Sequence, residues 1–243
     1  MLKVEHTEVF NFEGALRGAR NPLKSWDKSD SRYGCSYYSD CEDCDQAIVC
    51  DSGHAMYLIG ENDMELVQTL VKAGSSHRKF IRQIFVSVDI TAPFYWWKQF
   101  DQYKIGVVTN SESTMHCIHK KEFTLDDFSC EHLLDDEYIL SDSKDVSGEY
   151  NVLGEPMQHL KCTIEMLNGC RDYYIATKDK KYWWQMIQLL PSSYNQKRTV
   201  TFDYENLRNM YHERKNHKLD EWHTFCEWIE SLPYSELITM EGR

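Results

Sequence analysis

Residues 83–116, QIFVSVDITAPFYWWKQFDQYKIGVVTNSESTMH, constrain the fold more than any other stretch. Ile84, Val86, Val88 and Ile90 alternate with Phe85, Ser87 and Asp89. That is the period of a half-buried strand, whose side chains point to opposite faces in turn. Thr91 reads as a helix N-cap and Pro93 as a first-turn residue, where a missing N–H costs little. Phe94, Trp96, Trp97, Phe100 and Tyr103 then follow at three- and four-residue steps, which predicts a helix from 94 to about 104. Past it the apolar content falls away. Residues 107–116 offer hydroxyls, an amide and a carboxylate, and predict a polar loop on a buried scaffold, the usual setting of a binding site.

The flanking sequence supplies more elements of both kinds. Residues 4–10 read as a strand and 13–20 as a short helix with Arg17 and Arg20 on one side, either a solvated face or an arginine pair for an anion. Residues 62–74 read as a helix with a capping box of Asn62 and Glu65, a stripe of Leu66, Val67, Leu70 and Val71, and Gly74 at its end. Residues 75–79, SSHRK, form a basic connector. Two helices are expected after Pro156, the first stopping at Gly169, the second running from about 171 to 190 with Tyr182, Trp183, Trp184, Ile187, Leu189 and Leu190 in the core. Residues 198–202 make a β-branched strand. Asp203 caps a helix over 204–214 that buries Leu207, Met210 and Tyr211. A last helix over 220–232 buries Trp222, Phe225, Cys226 and Ile229. The mixture is α+β, a central mixed or antiparallel sheet flanked by helices.

Composition narrows the function. A formal net charge of −12 opposes non-specific binding to nucleic-acid phosphates or anionic membranes. No apolar run approaches the roughly 18 residues that span a bilayer, and the start shows no secretory signal, so the expected address is cytoplasmic. Nine cysteines are an odd number, which rules out a complete intramolecular disulfide set. Cys35, Cys41, Cys44 and Cys50 cluster with His54 nearby. The Cys41, Cys44 step suits two thiolates on one tetrahedral zinc, yet no second CxxC follows, so these are weak metal candidates and a loop of free thiols is the alternative. A Gly-rich phosphate loop, a GxSxG elbow and an HExxH helix are all absent.

Several segments together resemble the flavin-dependent thymidylate synthases. Residues 15–20, ALRGAR, resemble the family's A-V-R-A-A-R helix, and residues 70–74, LVKAG, its L-M-K-H-G helix end. Residues 85–93 are similar to the strand that runs into A-P. Residues 94–104 match the helix that carries R-H-R, and Leu190 and Pro191 with residues 209–214 resemble L-P and N-F-L-N-L-R. The family signature is R-H-R-x-x-S-x-N-x-x-S-x-R. Gln102, Tyr103 and Lys104 stand at R-H-R here, Val107 or Val108 at the first serine, and Met115 at the last arginine. With one extra residue placed before Asn110, Asn110 and Ser113 match.

The resemblance implies one domain over 1–243, with a Cys-rich insertion at about 24–60 and an acidic excursion at about 117–154. It implies FAD held by His77, Gln102, Tyr103, Lys104, Asn209, His217 and Lys218. It implies dUMP held by Gln99, Asn110, Ser113, Lys197, Arg198 and Arg214, with Ser113 and Arg214 closest to the chemistry. The implied reaction moves a one-carbon unit from methylenetetrahydrofolate to dUMP, with flavin reduced by NADPH as hydride source, in a homotetramer. Two other readings stand beside it: a nucleotide- or flavin-binding relative with altered or lost catalysis, and a zinc-stapled interaction protein.

Overall fold

A computed structural model of the chain describes residues 2–35 and 55–242. In order these form β1 (Lys3–Phe10), α1 (Phe12–Arg20), β2 (Arg32–Cys35), β3 (Ala55–Leu58), α2 (Glu61–Lys72), β4 (Phe85–Pro93), α3 (Phe94–Phe100), β5 (Val108–Ser111), α4 (Thr114–Cys117), β6 (Ile139–Lys144), β7 (Tyr150–Gly154), α5 (Pro156–Thr177), α6 (Lys180–Leu189), β8 (Asn195–Asp203), α7 (Tyr204–Arg214), α8 (Asp220–Glu230) and α9 (Glu236–Thr239). A four-stranded antiparallel sheet has the order β1-β4-β8-β5; β2 with β3, and β6 with β7, form two-stranded sheets. The chain divides into two compact units, residues 1–5, 89–102 and 109–199 in the first and 6–88, 103–108 and 200–243 in the second. Among the described residues no helix is long and apolar enough to cross a membrane. The zinc candidates Cys41, Cys44, Cys50 and His54 lie outside the described residues, as does the Cys35 side chain.

The alternation in β4 is as expected: Ile84, Val86, Val88, Ile90 and Ala92 are buried and the residues between them are not. The helix after it is shorter than its aromatic spacing suggested. It ends at Phe100, and its N-cap is Pro93 rather than Thr91. The predicted polar loop contains β5 and α4, because Ser113 caps α4 by accepting from the His116 N–H at 3.3 Å.

In the first unit one core cluster is Ile118, Phe123, Phe128, Leu160, Ile164, Leu167 and Met186, and Ile90, Ala92, Trp96, Trp97 and Phe100 are buried as well. α5 runs straight through Gly169. One glycine costs a helix about 1 kcal/mol, less than burial of Leu160, Ile164 and Leu167 contributes at roughly 1.5–3 kcal/mol each. The break falls at Lys178, in the left-handed conformation, whose N–H donates to the Tyr174 carbonyl at 2.8 Å. Asp179 then caps α6 through the Lys181 N–H. In α6 only Met186 is fully buried; Trp184 is 44% and Leu189 46% exposed. The face toward the core is Trp183, Met186, Ile187 and Leu190, a three-and-four-residue stripe, so of the expected core residues Trp183, Ile187 and Leu190 pack inward while Trp184 and Leu189 are surface. The acidic excursion carries the β6–β7 hairpin as well as a 3-10 turn at Leu125–Asp127.

In the second unit α1 buries Phe12, Ala15, Leu16 and Ala19, and α2 buries Val67 and Val71, with Leu66 and Leu70 half-buried. The cap of α2 comes from a distant residue. Asp30 accepts from the backbone N–H groups of Asn62 at 2.9 Å and Asp63 at 3.1 Å, and no Asn62–Glu65 box forms. Arg20 belongs to the interior, paired with buried Asp63, while Arg17 is exposed. Asp203 caps α7 as expected and Asn206 returns the bond, a complete capping box.

Candidate functional site

The first unit holds a cavity of about 490 Å³ lined by Thr91, Glu112, Ser113, Thr114, Asn195 and Lys197, with Ile118, Phe123 and Tyr194 as its apolar part. β8 builds one wall: Asn195 and Lys197 are two apart, so the strand's period turns both to the same side. The other wall follows β5. The Glu112 N–H donates to the Lys197 carbonyl at 3.0 Å, and the Gln196 side chain donates to the Glu112 carbonyl at 2.9 Å and to the Thr114 hydroxyl at 3.3 Å. Ser113 is thereby fixed at the rim.

The polar groups around this cavity are unevenly satisfied. Among the described residues the buried Asn195 Oδ1 has no hydrogen-bond partner, an acceptor that a donor on a bound molecule would complete. Burial, reinforced by the charges of Asp127 and Glu112, pushes the Tyr194 phenol up to about 12, so it stays a donor. The Lys197 ammonium sits 3.0 Å from Asp89 and 3.8 Å from Glu5, and the bond to Asp89 raises its pKa. Arg198 pairs with Asp101 at 2.7 Å, donates to Gln196 at 3.0 Å, and lies 4.1 Å above the Trp97 ring. Each of these cations therefore has a carboxylate partner in the same unit.

In the second unit α7 presents Arg214 between two rings. Its guanidinium carbon lies 5.0 Å from the Trp222 ring centre and 5.5 Å from that of Tyr103, and its Nε donates to the Tyr103 hydroxyl at 2.8 Å. Tyr103 in turn donates to Glu213 at 2.7 Å. Burial and the Glu213 carboxylate outweigh Arg214 and push the phenol up to about 12. His217 stands edge-on to Trp222, and its Nδ1 accepts from the Leu219 N–H at 3.1 Å, so the proton of the neutral ring is on Nε2. Burial and the neighbouring Arg214 lower its pKa, so the ring is neutral at pH 7.

Of the residues named from the sequence, Ser113 and Lys197 thus line one cavity, and Tyr103, Arg214 and His217 form one cluster. Asn110 is exposed on β5, Gln99 half-buried on α3, and Gln102, Lys104 and Lys218 exposed on connecting turns. His77 is exposed just before the 3-10 turn Arg78–Gln83, and Asn209 is exposed on α7. Sequence reasoning missed Asn195, Thr91 and Glu112. The two-residue step from Asn195 to Lys197 in β8 was the available signal.

No protein-family model matches the sequence, and no curated protein does. In structure the chain is similar to thymidylate synthase X from Helicobacter pylori with FAD and dUMP, with a TM-score of 0.59 at 13% identity over 98% of each chain. It is also similar to the UMP/dUMP methylase PolB from Streptomyces cacaoi bound with 5-Br dUMP, with a TM-score of 0.56 at 14% identity over 100% of this chain and 96% of that one. The fold is that of the flavin-dependent thymidylate synthases, as the resemblance of the sequence implied.

Proposed function

We propose that the chain binds a pyrimidine nucleotide in the cavity of Ser113, Asn195 and Lys197, and works as a flavin-dependent enzyme that transfers a one-carbon unit from methylenetetrahydrofolate to dUMP. The observation that carries this reading is the meeting of Ser113 and Lys197 in one cavity. They come from segments far apart in sequence, and the resemblance matched both to substrate-binding positions independently. A pyrimidine imide N–H is the kind of donor that the unpartnered Asn195 Oδ1 requires.

The residues that the resemblance assigns to FAD fit it chemically. Tyr103 offers an aromatic ring, Asn209 an exposed amide, and His217 an Nε2–H donor; Lys104 and Lys218 are exposed ammonium groups suited to a pyrophosphate. Bound and reduced, the flavin would supply the hydride that completes a methyl group. A tetramer is part of the same reading.

A second reading, a nucleotide-binding relative without the reaction, is favoured by the charge pattern. Gln102 and Met115 replace two signature arginines, and Lys197 and Arg198 are already paired with Asp89 and Asp101. Charge-assisted bonds contribute about 1.5–3 kcal/mol each, so two lost arginines cost about two to four powers of ten in affinity. One sample decides: the purified protein is examined for flavin absorbance, titrated with dUMP, then supplied with folate, NADPH and dUMP tritiated at C5. Flavin, nucleotide binding and tritium release support the enzyme. Binding without release selects the second reading. Neither flavin nor nucleotide binding removes both.

A further inference from the structure

The face of α7 that carries Arg208, His212 and Lys215 has no part in that proposal. It opens on a second cavity of about 490 Å³, lined also by Arg78, Glu213, Glu241 and Gly242. Asn209 alone is shared with the residues proposed for flavin.

Arg208 is 4% exposed, and its Nη1 donates to the Ile238 carbonyl at 2.8 Å. Among the described residues no carboxylate pairs with it. The acidic neighbours are occupied: Glu205 forks onto Arg78 with bonds of 2.9 and 3.0 Å, and Glu213 accepts from Tyr103. A buried guanidinium beside a cavity, bonded directly only to a carbonyl and favoured by Glu205 and Glu241 only at longer range, is a costly arrangement that an anion in direct contact relieves. Burial and the nearby Arg78 charge both press Arg208 toward its neutral form, in keeping with that cost.

The chain already lays a carboxylate there. Glu241 reaches the Lys215 ammonium at 3.0 Å and stands 3.9 Å from His212 Nδ1. Its side chain is 81% exposed, so the pair is weakly held and easily displaced. Gly242 passes so close that a Cβ there would meet Arg208 Nη2 at 3.2 Å and the Val71 carbonyl at 3.0 Å.

His212 sets the chemical class. Its Nε2 lies 3.2 Å from the Ile238 carbonyl, which only accepts, so the ring proton is on Nε2. Burial, and then the Arg208 charge, hold the ring neutral at pH 7. Nδ1 is therefore an acceptor, on a ring that lines the same cavity as Arg208 and Lys215. An anion that satisfies all three groups carries negative oxygens for Arg208 and Lys215 and an O–H for Nδ1. Inorganic phosphate has that O–H at neutral pH; sulfate does not.

We propose that Arg208, His212 and Lys215 form a binding site for hydrogen phosphate, free or as the end group of a small molecule, and that Glu241 is its resident competitor. The test is calorimetric titration of the flavin-free and nucleotide-free protein with inorganic phosphate and with sulfate, in low-salt chloride buffer. Phosphate is expected to bind saturably and at least tenfold more tightly than sulfate. Glu241→Gln tightens phosphate at least fivefold, and Lys215→Met weakens it at least tenfold with the melting temperature kept. Absence of saturable phosphate binding to both the native protein and Glu241→Gln overturns the proposal. So does equal binding of sulfate, or a Lys215→Met variant that binds phosphate unchanged. None of these results bears on flavin absorbance or on dUMP binding at Ser113, so the two proposals fail separately.

Discussion

Removing the carboxylate of Asp63 is the sharpest available test of what holds the second unit together. Asp63 is 1% exposed and accepts from Arg20 Nε, the Ser29 hydroxyl, the Ser31 hydroxyl and the Ser31 N–H. Asp63→Ala leaves Arg20 buried with only the Ser25 carbonyl and hydroxyl and the Lys28 carbonyl, at 3.1 to 3.4 Å. Breaking one side of a buried pair costs about 3–5 kcal/mol. For a chain of this length each kcal/mol lowers the melting temperature by about 2–4 °C, so the expected fall is about 6–20 °C. Replacing both partners, as Arg20→Met with Asp63→Leu, recovers most of it, because no charge is stranded. The acid limb gives a second readout. Burial alone would raise the Asp63 pKa, but the bonds from Ser29, Ser31 and Arg20 outweigh it and hold it below 3.8. The stabilisation is thus present above about pH 4 and lost as pH falls through the lower folded value. Differential scanning calorimetry across pH measures both effects. A fall of less than about 2 °C in Asp63→Ala at pH 7 would refute the reasoning.

Three further outcomes are expected. Lys197→Met weakens nucleotide binding by more than about tenfold by equilibrium titration, the loss of roughly one charge-assisted contact; an unchanged constant displaces the nucleotide from that cavity. Tyr103, held at about 12, shows no phenolate absorbance until well above pH 10, and its share of stability is present below pH 10 and fades as pH rises toward 12; spectrophotometric comparison with Tyr103→Phe reads this. Leu167→Ala costs about 2–5 kcal/mol in denaturant unfolding, whereas Trp184→Ser on the exposed face changes it by less than about 0.5 kcal/mol.

Local signals carried most of the framework. The alternation of β4, the Asp203 cap and the apolar face of α8 are each written within a few neighbouring residues, and each is found. The misreadings share a cause, since the deciding partner lies elsewhere in the chain. α2 is capped by Asp30 rather than by Asn62, Arg20 is drawn inside by Asp63, and Gly169 is carried through by leucines that bury. Trp184 and Leu189 looked like core because hydrophobicity was weighed without phase, whereas Trp183 does pack inward. In the candidate site Ser113 and Lys197 were legible through the resemblance. Asn195 was not, because an amide at a strand start is an ordinary residue until its oxygen is seen buried and unmatched.

The segment from Tyr103 to Gly106 is fastened to α7 at two points. Tyr103 is bonded to Arg214 and Glu213 near the helix end, while the Ile105 carbonyl accepts from Asn206 near its start at 2.8 Å. From Asn206 to Arg214 the helix rises about 12 Å. α7 therefore acts as a length gauge for this segment. Adding or deleting a residue between the two attachments forces one to let go, and Gly106, with φ of +77° and Asn206 Oδ1 only 3.0 Å from where a Cβ would sit, leaves no slack at the turn. Asn206 is thereby a remote control on where the Tyr103 ring stands.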